Sequence, residues 1–274
     1  MPELPEAETI GKALNFAMSG KKIEKVEVFS PKMRTSLLPL NDAGLVGKTI
    51  LSVRRRGRYL VAALDDNRGL LMHFGMSGVV RIESAEIPKR KHEHIFIHLS
   101  DGNIFKFECH RRFSLLEVHD LNTPDGFPEV LNALGVEPLS EKFTKEYFFE
   151  KSRSRKIPVK QLLMDNAIVT GIGNIYATEV LFASKVDPRK LSAELTLENC
   201  AEIVKNSKKI LQQAIECGGT TISDFRHVDG SEGKFVLNLK IYGKSGSPCP
   251  KCSTVLQSVF LGGRNSCFCP ECQK

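Results

Sequence analysis

The chain has 274 residues, 41% hydrophobic and 26% charged, a composition that fits one large or two ordinary globular domains and excludes a largely disordered chain. A formal net charge of +7 and a pI near 8.9 suit a polyanionic partner. No apolar run approaches the ~20 residues of a membrane-spanning helix and no basic-then-apolar leader opens the chain, so the expected setting is the cytoplasm with no membrane partner; in that reducing compartment the eight cysteines point to metal ligation or burial rather than disulfides.

The opening "MPELPEAE" sets two prolines and three carboxylates in seven residues after the first methionine. Removal of Met1 would leave Pro2 with a free secondary amine. A generic α-amino group has a pKa of about 7.7–8.0 against about 10.4 for lysine, so near neutrality its nucleophilic fraction is larger by roughly two orders of magnitude. A secondary amine that attacks a sugar C1′ gives an iminium ion with no N–H to lose, which persists as a cationic electron sink. Glu3 and Glu6 stand beside it as proton carriers or as anchors of the amine. Read alone, these residues equally allow Pro2-Glu3 to do no more than begin a helix. Behind them Ile10, Ala13, Leu14 and Ala17 recur at helical spacing, and Pro5 suits a first turn.

From about residue 22 to 119 the runs "KIEKVEVFS", "TILSVRRRGRYLVAAL", "GLLMHFGMSGVVRI", "HEHIFIHLS", "NIFKFECH" and "FSLLEVH" read as strands. Their connections are too short for crossover helices, which predicts an antiparallel sandwich or barrel. "LNTPDGFPE" reads as a linker, and helical patterns then continue to about 217. In the longest helix Cys200, Ile203, Val204, Ile210, Leu211, Ala214 and Ile215 mark one face, and Gly218-Gly219 should end it. The following "TTISDFRHVDGSEGKFVLNL" is long for a connection inside a compact domain, a length more often associated with function.

Two further motifs carry chemistry. "CPKC" and, sixteen residues later, "CPEC" place Cys249, Cys252, Cys269 and Cys272 as two knuckles closing a tetrahedral thiolate site around one structural Zn2+, with Cys267 as a bystander. Arg264 lies in the hairpin "LGGRNSC", where it reads as a solvated arginine unless a phosphate partner is present. In "MDNAIVTGIGNIYATEVLF", Gly171-Ile172-Gly173 joins two helical patterns and Asn174 is placed to cap the second. Such a junction offers backbone N–H groups to a phosphate, although caps without a ligand are commoner.

Taken together, "PELPE", "HFGMSG", "RRF", "LLMDN", "GIGNIYATE", "GGTT", "YG" and the four-cysteine ending resemble the formamidopyrimidine-DNA glycosylases, Fpg or MutM, within the wider group that includes Nei. The resemblance spans essentially the whole chain. It implies an α+β multidomain protein: an N-terminal helix and antiparallel β-sandwich (1–120), a linker (121–132), a helix–two-turns–helix domain (133–219), a lesion-recognition loop (220–240) and a zinc ribbon (241–274). Damaged double-stranded DNA would bind in the cleft between domains, and one chain suffices, so a monomer is expected.

The resemblance further implies a bifunctional glycosylase and AP lyase of base excision repair. Pro2 is then the nucleophile that forms the Schiff base, Glu3 the acid/base group and Glu6 its support, followed by β,δ-elimination. Arg58 and Arg264 complete the catalytic set at the lesion's phosphates. Met76, Arg111 and Phe113 would fill the void left by the extruded nucleotide: an apolar wedge, a guanidinium for the orphan base and an inserted aromatic face. Asn174, Arg264, His92, Arg155, Lys156 and Tyr242 match phosphate contacts. Thr220, Thr221, Phe225, Lys234 and Phe235 belong to the loop that closes over an oxidised purine such as 8-oxoguanine. Two departures stand out. The family's "GKYL" lysine is Arg58 here, which keeps the charge but scarcely releases a proton, and the usual Asp-Pro before the arginine pair is Cys109-His110. A preference for oxidised pyrimidines, a damaged-DNA-binding protein impaired through Arg58, and a basic zinc-ribbon scaffold are the competing readings.

Overall fold

A computed structural model describes residues 2–220 and 235–274, with backbone only at 236 and 237. The chain forms two compact units, Met1–Asn132 with Gly218–Lys234, and Ala133–Cys217 with Phe235–Lys274.

In the first unit α1 (Leu4–Met18) carries Pro5 in its first turn and buries Leu4, Ala7, Ile10, Leu14 and Met18 along one stripe. After it come β1 (Ile23–Val28), the short α2 (Pro39–Asp42), β2 (Ile50–Arg56), β3 (Tyr59–Leu64), β4 (Arg68–His73), β5 (Gly78–Ser84), β6 (Glu93–Leu99), β7 (Asn103–Cys109) and β8 (Leu115–Asp120). They pair antiparallel in two four-stranded sheets, ordered β1-β6-β7-β5 and β2-β3-β4-β8. Alternate residues such as Leu60, Ala62, Leu70, Met72, Ile95, Ile97, Phe105 and Phe107 form the common core, and each large apolar side chain removed from water there contributes about 1.5–3 kcal/mol. The long run from 49 to 64 is two strands joined by the tight Gly57-Arg58 turn, and the run from 69 to 82 is two strands joined at Phe74–Ser77.

The other face of β6 and β7 is unusual in being charged and buried. Lys106 and Glu93 are fully buried and Glu108 is nearly so. They form one alternating ladder: Lys106 to Glu83 (3.2 Å), Glu83 to Arg90 (2.7 Å), Arg90 to Glu93 (2.7 Å), Glu93 to Arg81 (3.9 Å), Arg81 to Glu108, and Glu108 to His110 (2.6 Å). Every charge in it has a partner of opposite sign, the condition under which a buried charge is tolerated. The segment 121–132 belongs to this unit rather than hanging free: Arg54 donates to the carbonyls of Asp125 (3.1 Å) and Gly126 (2.5 Å) and lies 4.6 Å from the Phe127 ring centroid.

The second unit contains α3 (Lys145–Arg153), N-capped by Thr144, then α4 (Val159–Leu163), α5 (Asn174–Ala183) and α6 (Leu197–Glu216). A reciprocal capping box between Thr196 and Asn199 starts α6, whose buried face is Cys200, Ile203, Val204, Ser207, Leu211 and Ala214. The hairpin of β9 (Gln257–Leu261) and β10 (Arg264–Phe268) packs on α5 with its own small core of Phe182, Ile241, Leu256 and Cys267 beside the ligand cysteines. The ribbon is therefore part of the helical unit, not a separate body. The expected loop 220–240 also divides: Thr220 falls in the first unit, while Phe235 begins a short 3-10 turn and buries its ring against Tyr176, 5.8 Å between centroids. Thr221, Phe225 and Lys234 lie outside the described residues.

One backbone approach sets the position of two loops in the first unit. Gly75 has φ +55°, and a Cβ there would lie 2.5 Å from the Phe113 carbonyl oxygen, so the Phe74–Ser77 turn rests directly on the Phe113 backbone. Gly75→Ala should therefore cost roughly 1–3 kcal/mol of stability, read as a lowered midpoint in denaturant with an unchanged slope.

Candidate active site and nucleic-acid interface

The start of α1 is built around carboxylates. Glu3 is its N-cap and Glu6 its third residue, and the two form a reciprocal capping box. Glu6, 2% exposed, accepts from the Glu3 N–H through Oε2 (2.8 Å) and from the Thr220 N–H through Oε1 (2.7 Å). Gly219, at φ +79°, lets this returning backbone come in; a Cβ there would sit 3.0 Å from Glu6 Oε1. Hydrogen bonds to a charged group contribute about 1.5–3 kcal/mol each, so the pair outweighs the ~0.3–1 kcal/mol of the helix dipole as the force that fixes Glu6. Pro2 is buried immediately before this bracket and Glu3 is 4% exposed.

Arg58 is tied to the same helix through its turn. Glu8 of α1 accepts from Arg55 Nε (2.7 Å), and Arg55 Nη1 donates to the Gly57 carbonyl (3.0 Å), which fixes the Gly57-Arg58 turn. Arg58 itself is only 8% exposed. Facing it, His73 stacks on Tyr59 (4.7 Å) and accepts the Gly75 N–H at Nδ1 (3.2 Å). Burial, then the charges of Arg58 and Arg34, push the His73 imidazole down to about 4, so it is neutral through the physiological range.

Two turns carry the exposed apolar side chains of this unit's candidate interface. Met76 stands on the β4–β5 turn, 41% exposed, and Phe113 on the β7–β8 turn, 51% exposed. Ser77 Oγ accepts from the Arg111 N–H (3.1 Å), and the Arg111 guanidinium lies 5.3 Å from the Phe113 ring centroid. Apolar surface this exposed, next to an unburied guanidinium, suits a surface that inserts into a partner. His92 stacks on His110 at 4.2 Å between centroids.

In the second unit Asn174 stands at the start of α5. Gly173, not Asn174, is the N-cap, and Asn174 opens the helix. Its amide is held sideways: Oδ1 accepts from Lys160 Nζ (2.7 Å) and Nδ2 donates to the Asn265 carbonyl (3.2 Å). Lys160, 1% exposed, also donates to Thr178 Oγ1 (2.9 Å) and Ser266 Oγ (2.8 Å). Glu179, 4% exposed, accepts the N–H groups of Lys240, Ile241 and Tyr242 (2.8–3.0 Å), which pins the backbone at Tyr242. The sequence alone assigns no role to Lys160 or to Glu179, the last residue of "GIGNIYATE"; the signal they offered was an ionisable residue inside an otherwise apolar helical pattern. Arg264 is exposed at the start of β10 and Lys156 is exposed beyond α3, while Arg155 makes a surface pair with Asp165 (3.0 Å) of the kind worth about 0–1 kcal/mol, easily exchanged for a phosphate.

The sulfurs of Cys249, Cys252, Cys269 and Cys272 all lie within 4.8 Å of one another, with pairs at 3.4, 3.5 and 3.9 Å. Zn–S bonds of about 2.3 Å in a tetrahedron need sulfurs roughly 3.8 Å apart, so this cluster is a site for one structural zinc. The N–H groups of Lys251 and Cys272 point at the Cys249 and Cys269 sulfurs, both at 3.4 Å, as supporting contacts. Cys267 lies outside the cluster, buried, with its thiol pushed up by that burial. Among the described residues no helix is long and apolar enough to cross a membrane.

Sequence comparison places this architecture. The family models for the formamidopyrimidine-DNA glycosylase N-terminal domain, its H2TH domain and the zinc finger found in FPG and IleRS match residues 1–116, 134–226 and 246–274. A formamidopyrimidine-DNA glycosylase of Hahella chejuensis is 42% identical over 274 residues, covering all of both chains. Among solved structures, a Lactococcus lactis FPG variant in complex with Fapy-dG-containing DNA superposes with a TM-score of 0.91 at 34% identity over the full length of both chains. A MutM in complex with DNA containing carbocyclic 8-oxo-G gives 0.90 at 34% identity, also over the full length of both. The chain belongs to the formamidopyrimidine-DNA glycosylase family.

Because the ribbon's small core is built around the ligand cysteines themselves and the hairpin leans on Lys160 and Asn174, zinc removal should act locally and then reach α5. Chelation is expected to abolish hydrogen-exchange protection of the β9–β10 hairpin while Ile203 and Leu211 of α6 stay protected, and re-addition of Zn2+ should restore it.

Proposed function

We propose that this protein is a base-excision-repair glycosylase with AP lyase activity, acting on duplex DNA that carries formamidopyrimidines and 8-oxoguanine. The observation that carries the reading is the bracketed helix start, where a fixed pair of buried carboxylates stands beside Pro2 in a chain of this family. Relatives bound to Fapy-dG and carbocyclic 8-oxo-G DNA support the substrate class.

With Met1 removed, the Pro2 nitrogen uses its lone pair to attack C1′ of the damaged nucleotide. The C1′–N bond to the base breaks and the base leaves with that electron pair, taking up a proton. Opening of the sugar ring then converts the adduct to an iminium ion, with the ring oxygen protonated by Glu3. The iminium acidifies C2′; loss of a proton there expels the 3′-phosphate, and a second elimination expels the 5′-phosphate. Glu6 takes no proton in this scheme, because both its oxygens are engaged by backbone N–H groups, and it acts as a positioning residue. The charge of Arg58 holds the lesion's phosphate, but a guanidinium does not serve as a base, so proton transfers fall to Glu3 and water.

Met76, Arg111 and Phe113 occupy the gap opened when the nucleotide is turned out of the stack. Asn174, Arg264, His92, Arg155, Lys156 and Tyr242 hold backbone phosphates, which makes affinity fall steeply with added salt.

Borohydride trapping on a duplex with an abasic site or one 8-oxoguanine opposite cytosine tests the scheme. The native chain should give a covalent adduct, whereas Pro2→Gly and a form retaining Met1 should lose it by about a hundredfold or more. Arg58→Lys should raise strand scission relative to base release, since general acid–base assistance is worth about 10²–10⁴. An adduct formed equally well by the Met1-retaining form contradicts the assignment of Pro2.

A further inference from the structure

The ladder of buried charges in the first unit does not end inside the protein. Its last carboxylate, Glu108, is shared between Arg81 and His110 Nε2 (2.6 Å). Burial opposes ionisation of Glu108, but the contacts of Arg81, and then of His110, outweigh it and hold its carboxyl below the usual range. His110 stands 53% exposed on the turn that carries Arg111 and Phe113, and its ring lies 4.2 Å from that of His92. The Cys109 N–H donates to the His92 carbonyl (2.9 Å), and His94 bonds the Cys109 carbonyl through Nε2 (3.0 Å), so backbone contacts fix the two rings relative to each other. His94 is held below the ordinary imidazole range, chiefly by burial.

Two imidazoles stacked this closely cannot both be charged without repulsion. The charged groups around the pair add to it: Lys91 and Arg112 bear on His92, with Glu108 the opposing carboxylate. Desolvation and then the His110 charge lower the His92 imidazole from its usual value. An anion laid against the exposed edges of the two rings reverses this balance, because it compensates the second positive charge. The group that fits is a phosphodiester: singly charged and rich in acceptor oxygens.

We propose that His92 and His110 form a paired-imidazole phosphate site that takes up a proton when the DNA backbone binds, making affinity for duplex DNA depend on pH. This rests on the reading of duplex DNA as the ligand, and adds to it a contact residue, His110, and a proton. The linkage has a definite sign. The bound complex holds the second proton more tightly than the free protein, so affinity is strongest at low pH and falls as pH rises through the imidazole range.

Isothermal titration calorimetry with a duplex containing one tetrahydrofuran abasic analogue tests it, run near pH 7 in buffers of different ionisation heat at fixed ionic strength. The native chain should take up roughly 0.3–1 proton per duplex bound, and its affinity should fall about three- to tenfold from about pH 6 to about pH 8. His110→Gln and His110→Pro should each lose more than half of the proton uptake and flatten the pH profile, and His92→Gln should do the same. Proton uptake unchanged in both His110 variants overturns the paired site and leaves the DNA reading standing. No binding of this duplex or of undamaged DNA at any pH overturns both.

Discussion

The first unit depends on one carboxylate held between two strands of backbone that are distant in sequence. Glu6 accepts the Glu3 N–H through one oxygen and the Thr220 N–H through the other. The first bond fixes the helix start and so the placement of Pro2; the second brings the chain back, 214 residues later in sequence, to the same point. A glutamine, with one acceptor oxygen, would keep only one of these bonds, and the buried N–H left without an acceptor costs about 1–3 kcal/mol. The chemistry assigned to Pro2 needs an amine whose position does not drift, and this bracket together with the Glu8–Arg55–Gly57 tie supplies that for both Pro2 and Arg58.

Around that point the sandwich serves as a frame for turns. Met76 and Phe113 are exposed apolar residues that would be a liability on an isolated surface, and the frame holds them still by setting the Gly75 backbone against Phe113. The charge ladder on the outer face of β6 and β7 leads to the same turn through Glu108 and His110. Its strength comes from complete pairing rather than from any single ion pair. In the second unit Lys160 plays the corresponding part: a buried amine whose hydrogen bonds to Asn174, Thr178 and Ser266 join α4, α5 and β10. It orients Asn174 from one side while the zinc-held hairpin orients it from the other.

Much of this was legible in the sequence, for physical reasons that differ from one feature to the next. The apolar stripe of α6 and its stop at Gly218 follow from helical periodicity and a residue free to adopt φ +74°. The zinc ligands follow from spacing alone, since two knuckles need little else. Strand existence was readable from alternation, but β6 and β7 are buried on both faces, and alternation carries no sign that Glu93, Lys106 and Glu108 pair with charges on other strands. Lys160 and Glu179 were invisible because their partners lie far away in sequence: Ser266 for one, the backbone of 240–242 for the other. Phe235 sat in a polar, glycine-containing stretch and read as loop, yet its ring completes the helical core. Asn174 looked like a cap because caps are local, whereas its amide is engaged by a lysine and a hairpin carbonyl.

The central claim is that a fixed, unblocked amine at Pro2 is the atom that joins the sugar. Tandem mass spectrometry of the borohydride-reduced protein–DNA cross-link, after protease and nuclease digestion, tests it at the level of the bond. The account predicts a deoxyribose remnant on the nitrogen of an N-terminal peptide beginning at Pro2. A remnant found instead on a lysine side chain, with the Pro2 peptide recovered unmodified, would contradict it.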